Sequence, residues 1–177
     1  MTDSYTLSSD RLTARFEPFG ARIRALHLDG GANLILDADA PAFVAAYGGV
    51  LIGPVANRVR NGRLQIDGQS YQMPQNEGPT CLHSGPDGAH ARQWDVTGHG
   101  PGHLVLALDL PDGACGLPGH RQITATFAIT GPTLSLSLHA VTDAPTPIAM
   151  AHHPYWALGG SPVLHCPAAH YLLSVNA

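Results

Sequence analysis

An all-β fold, a sandwich or a barrel, is what the sequence predicts, on three observations. Apolar residues alternate with polar ones in several short runs, and turn residues separate those runs. No stretch of about 11 residues or more carries a clean helical stripe. The chain has 177 residues, so a single domain over residues 1–177 is expected. A domain of that size buries roughly 70% of its unfolded surface and needs no staples.

Residues 4–28 read as two or three strands, with Leu12, Ala14 and Phe16 on one face and Pro18-Phe19-Gly20 turning between runs. Leu34-Ile35-Leu36 reads as another short strand, and residues 37–47 as one helical turn or a loop. Val50-Leu51-Ile52 is a short buried strand broken by Gly53-Pro54. Leu64–Ile66 and Ser70–Met73 flank Asp67-Gly68, a type I′ hairpin signal. Residues 74–91 form a long loop rich in Pro, Gly, Asn and Asp, a length that points to function. Strands follow at residues 93–97, 104–108, 122–130 and 133–141, the last two joined by Gly131-Pro132. Pro147–Ala151 is an apolar strand, and His170–Ala177 reads as a strand in which the chain stops.

Composition excludes several functions. Charged residues make up 12% of the chain, below the usual share of about 25%. The net charge is −4 and there is no basic stripe, which argues against a nucleic-acid partner. All nine basic residues are Arg, so a Schiff-base lysine and a P-loop lysine are both ruled out. Cys81, Cys115 and Cys166 are odd in number and lack metal-type spacing, which fits reduced thiols and a cytoplasmic location. The N-terminus has no apolar signal-peptide core. The uncharged run from Ala40 to Asn57 contains two prolines and three glycines, so no membrane span is expected. GxSxG, HExxH, GxGxxG and paired CxxC motifs are absent.

Three places carry chemistry. Asn57-Arg58 follows a buried run; a guanidinium with five fixed donors suits sugar hydroxyls or carboxylates, or alternatively ties loops together. His83 ends the long loop; Cys81 beside it suggests a metal pair, but no further ligands have matching spacing, and no metal is expected. His152-His153 closes the Pro147–Ala151 strand. Neighbouring strand residues point to opposite faces, so one of the two faces a pocket and can act as acid or base, and the residues alone do not choose between them. Tyr155 and Trp156 offer flat surface to a sugar ring, or ordinary core packing.

Taken in order, these segments resemble the aldose 1-epimerases, or galactose mutarotases. The matching stretches are Gly53-Pro54-Val55-Ala56-Asn57-Arg58, Asp67-Gly68-Gln69-Ser70-Tyr71, Asn76 to Gly85 with Leu82-His83, Trp94, Gly116-Leu117-Pro118-Gly119, and His152-His153-Pro154-Tyr155-Trp156-Ala157-Leu158. The resemblance implies a large antiparallel β-sandwich that interconverts the α and β anomers of a free hexose by acid–base ring opening, with no cofactor. It assigns His153 as the general acid and places Arg58, Asn57 and His83 against the substrate near the reacting oxygens, with His83 in the catalytic set and Tyr155 in the binding set. The family's base is a Glu near the C-terminus, preceded by a sugar-binding Asp, and neither is matched within these residues. The sandwich is therefore expected to be incomplete, with a homo-oligomer covering its open sheet. Thr80, Ser84, Trp156 and Ala157 replace the family's usual Asn, Gly, Phe and Asn. Two alternatives follow: a non-catalytic sugar-binding relative, and a hexose-phosphate epimerase using Arg60, Arg63 or Arg92.

Overall fold

The computed structural model describes residues 3–36, 40–160 and 163, and over these the chain is nearly all β. Strands β1 (Tyr5–Ser8), β2 (Leu12–Glu17) and β3 (Arg22–Leu28) form one antiparallel sheet. Their alternation buries Leu7, Leu12, Ala14, Phe16 and Ile23 on one side. A short helix, α1 (Pro41–Ala45), has its proline in the first turn, where a missing N–H costs nothing.

The site-bearing segment comes next. It comprises β4 (Leu51–Ile52), β5 (Arg58–Val59), β6 (Arg63–Ile66), β7 (Gln69–Gln72) and β8 (Cys81–Leu82). Asp67 and Gly68 both have positive φ, 49° and 79°, as the type I′ turn between β6 and β7 requires. The second large sheet follows: β9 (Asp95–Gly100), β10 (His103–Leu110), β11 (Arg121–Thr130) and β12 (Thr133–Thr142), antiparallel and in chain order, with β12 at the edge. Finally β13 (Ala151–His152) returns to pair antiparallel with β4.

The two large sheets face each other across one core, and among the described residues they form an open sandwich and not a closed barrel. Phe16 of β2 and Phe127 of β11 meet at 4.4 Å between ring centroids, and Leu104, Leu106, Ile123 and Ala125 fill the space around them. Trp94 is buried with its indole N–H donating to the Ala89 carbonyl at 3.0 Å. A smaller cluster of Val55, Met73, Cys81 and Leu117 underlies the hairpin. Arg121 is fully buried, and its guanidinium donates to the carbonyls of Gly119, Pro111, Ala114 and Leu117, which folds residues 111–119 around it.

Two expected strands are shorter than their apolar runs suggested. Leu34–Leu36 makes a single bridge, Ile35 to Trp156, because Leu34 N bonds Leu26 O while Leu36 N bonds Tyr155 O. Its backbone alternates between two neighbours instead of laddering with one. In Pro147–Ala151, only Ala151 continues into a strand, while Ala149 bridges Val55 in the parallel sense. Two prolines, Pro145 and Pro147, lack the N–H a longer ladder needs. The strand expected over 170–177, and Cys166, lie outside the described residues.

Phe127→Ala removes a fully buried ring from between the sheets and should cost about 3–5 kcal/mol, read as a lowered urea midpoint. A shift under about 1 kcal/mol would show that this contact does not join the sheets. The edge strand β12 carries no charged residue, and Leu138, Val141, Ile148, Trp156 and Leu158 are exposed. A long uncharged edge invites pairing, so the chain should associate or bind an apolar dye; a dye-free monomer in sedimentation would contradict this.

Candidate functional site

Two chain segments 26 residues apart meet at the site, and short polar bonds hold them. Arg58 and Leu82 are register partners across β5 and β8. Ser84 Oγ, buried, accepts from Val55 N at 2.8 Å and donates to Val55 O at 3.0 Å. His83 N donates to Asn57 O at 3.0 Å, and Asn57 N donates to His83 Nδ1 at 3.0 Å. Asn57, His83 and Ser84 have φ of 66°, 56° and 68°, the left-handed region that Asn tolerates better than most residues. Asn57 Oδ1 accepts from Arg58 N at 2.9 Å.

Strand β13 delivers the third segment. His153 N donates to Val50 O at 3.0 Å and Gly49 N to His153 O at 2.8 Å, which fixes its backbone beside β4. The two adjacent histidines diverge as strand geometry requires. His152 packs on Phe127 at 5.7 Å and shares an apolar groove with Leu12, Leu26, Leu134, Leu136 and Trp156. His153 turns the other way, 5.5 Å from His83 and 5.3 Å from Tyr155 between ring centroids. The structure thus gathers Asn57, Arg58, His83, His153 and Tyr155. Trp156, the other candidate platform, lies on the His152 side.

Three further residues stand here: Tyr47 and His90 were not singled out by sequence, and Glu77 reads in the sequence only as an acid that matches no base position. Tyr47 stands edge-on to His83 at 4.8 Å and to His90 at 4.9 Å. Its only sequence signal is an aromatic residue before Gly48-Gly49; it takes a positive φ of 60°. His90 lies on a 3-10 turn at Ala89–Ala91 that no periodic pattern announces. Glu77 grips Arg58 through two bonds, Nε to Oε2 at 2.6 Å and Nη2 to Oε1 at 2.8 Å. Cys81, by contrast, points into the smaller core, and burial pushes its thiol up. Among the described residues, no cluster of three or more His, Cys, Asp or Glu is arranged to hold a metal ion, and Cys81 and Cys115 are free.

Three imidazoles, those of His83, His90 and His152, are biased towards the neutral form. Burial, then the neighbouring His153, His90 and Arg58, pushes His83 down to about 4, against the opposing pull of Glu77. Burial also pushes His152 down to about 4 and lowers His90. Because Nδ1 of His83 accepts a bond, its neutral ring carries the proton on Nε2 and presents a donor. Arg58 holds the Glu77 carboxyl below its ordinary range by hydrogen bonding, so Glu77 is ionised at neutral pH.

A family model described as aldose 1-epimerase matches residues 3–176. Among curated relatives, the aldose 1-epimerase of Escherichia coli (strain K12) is 33% identical over 117 residues, covering 66% of this chain and 34% of the relative. The galactose mutarotase of Rattus norvegicus is 29% identical over 167 residues, covering 89% and 48%. Among solved structures, a GalM/aldose epimerase homologue from C. elegans superposes with a TM-score of 0.83 at 33% identity, over 91% of this chain and 52% of the other. A galactose 1-epimerase from Lactobacillus acidophilus NCFM superposes with a TM-score of 0.76 at 29% identity, over 87% and 48%. The chain spans about a third to a half of the length of these curated relatives.

The histidine shifts predict a pH dependence with a definite sign. The unfolded chain takes protons on His83 and His152 near the ordinary value of about 6.5, while the folded chain resists them until about 4. Their contribution to stability is therefore complete above pH ~6.5 and is lost as pH falls from there towards ~4. Imidazole proton signals of both residues should still be those of neutral rings at about pH 5.5; midpoints near 6.5 would refute the burial argument.

Proposed function

The chain belongs to the aldose 1-epimerase family, and from that premise we propose that its site binds a free hexose and takes part in interconverting its anomers. The observation that carries this reading is the convergence of His83, just after β8, and His153, just after β13, to 5.5 Å between ring centroids, with Arg58 paired to the adjacent Leu82. Anomer interconversion needs a proton delivered to the ring oxygen and one removed from the C1 hydroxyl, after which the C1–C2 bond rotates and the ring recloses. His153 is assigned the delivery, and solvent water is assigned as the acceptor of the C1 hydroxyl proton. His83, neutral and donating through Nε2, and Arg58 are assigned hydrogen bonds to the reacting oxygens. Asn57 holds both through its backbone N–H and side-chain oxygen. Tyr155, whose hydroxyl donates to Ala46 O at 3.2 Å, stands 5.3 Å from His153 and lines an adjoining apolar cavity with Leu36 and Phe43. None of these roles calls on a cofactor.

A cytoplasmic location is proposed, in keeping with the free, buried Cys81 and Cys115. No helix of the described residues is long and apolar enough to cross a membrane. A homo-oligomer is proposed to cover the β12 face.

A second reading, sugar binding without turnover, is favoured by one specific observation. Glu77, the carboxylate nearest these residues in the bonds described, is tied to Arg58 and held ionised with a weak appetite for protons, which makes it a poor base.

Polarimetry of fresh α-D-galactose and α-D-glucose decides between them. Acceleration over the spontaneous rate is expected, and His153→Ala should return it to that rate while the fold and sugar-induced changes in the His83 signal persist. Undiminished turnover in His153→Ala would remove the acid assignment. Sugar binding with no acceleration in the parent chain would select the second reading.

A further inference from the structure

Glu77 takes no part in the ring opening proposed above, yet it makes a two-point, solvent-exposed ion pair with Arg58 next to the site. Both partners are anchored. The Glu77 backbone exchanges hydrogen bonds with Thr80 at 3.1 and 3.0 Å, in a turn that uses Gly78 at a φ of 56°. The preceding Asn76 bonds both Leu82 N, at 2.7 Å, and Leu82 O, at 3.0 Å. Arg58 is itself the register partner of Leu82. The ion pair is thus carried by two backbones fixed to the same residue, one position before His83.

A guanidinium with a free fork is a natural receptor for carboxylate or phosphate. Here the side-on fork, Nε with Nη2, is filled. A second anion arriving at Arg58 would meet the Glu77 charge within a few ångströms. A neutral polyol meets no such repulsion, and each Glu77 oxygen keeps a lone pair to accept from a hydroxyl. We propose that Glu77 is a specificity-determining residue: by filling the Arg58 fork it turns a receptor for anionic sugars into one for neutral hexoses. The proposal rests on the hexose reading given above.

The test compares the parent chain with Glu77→Gln, which keeps the side chain's shape and the Thr80 turn while removing the charge. Inorganic phosphate is titrated at low ionic strength and followed through the Arg58 Nε–H resonance. Glu77→Gln should bind phosphate about tenfold more tightly than the parent, and the gain should shrink as salt is raised. The gain should disappear when Arg58→Gln is added. In parallel, affinities for galactose and for galacturonate, the same ring bearing a carboxylate, are measured. Glu77→Gln should shift their ratio about tenfold towards galacturonate. An equal phosphate response in parent and Glu77→Gln, or a parent that prefers galacturonate, overturns the proposal. The phosphate arm needs no hexose, so the two readings fail separately. Binding of neither sugar, with the phosphate gain intact, overturns the hexose reading alone; galactose binding without the gain overturns the role of Glu77 alone.

Discussion

Everything at the site depends on how the Val55–Arg58 segment is bonded to the loop that ends at His83. Ser84 takes both the N–H and the carbonyl of Val55 with one hydroxyl, and Asn57 and His83 exchange two more bonds. Each bond contributes only about 0.5–1.5 kcal/mol net, but a buried amide left unpaired costs about 1–3 kcal/mol, so the four together leave the two segments little freedom to separate. They also hold Asn57, His83 and Ser84 in the left-handed region, which non-glycine residues occupy only when their surroundings insist. That strain is local to the residues proposed to touch substrate, where fixed geometry is worth most.

Much of this was legible in the sequence, and for physical reasons. Asp67-Gly68 announces its turn because few other pairs accept two positive φ values in succession. The β2 and β11 alternations announce a buried face because side chains in a strand repeat every two residues. The same period foretold that His152 and His153 would part company, one to Phe127 and one to His83. What stayed hidden depends on tertiary neighbours. Leu34–Leu36 has strand composition, yet two competing partners divide its hydrogen bonds. Arg121 looks like any strand-end charge until four carbonyls close around it. Glu77 matched no position expected of a base, and only the fold shows it paired to Arg58 across 19 residues. Tyr47 lies in an Ala-rich stretch with no period, so its place between two imidazoles could not be read.

Electrostatically, the site is poised to be nearly uncharged. Arg58 and Glu77 cancel, and His83 and His90 are discouraged from taking protons. For a ligand made of hydroxyls this is an economical arrangement. Directional donors and acceptors remain, while no uncompensated charge must be stripped of water when the ligand closes over it. The low charged content of the chain as a whole, 12%, is consistent with recognition by hydrogen-bond geometry instead of long-range attraction.

On the proposed reading, the same arrangement decides which histidine moves the proton. His83 and His153 stand 5.5 Å apart between ring centroids, and a proton on His153 disfavours one on His83. If His83 took the proton, Nδ1 would become a donor facing the donor of Asn57. The bond that joins the two site segments would be lost, and a repulsion between two N–H groups would replace it. Among the described residues, no such bond ties the ring of His153. It is held in place by its backbone, through Val50 and Gly49, so its ring can change protonation without loosening the strand that carries it. Of the two imidazoles, the one fixed by its main chain is assigned the acid's work, and the one fixed by its ring is assigned to bind.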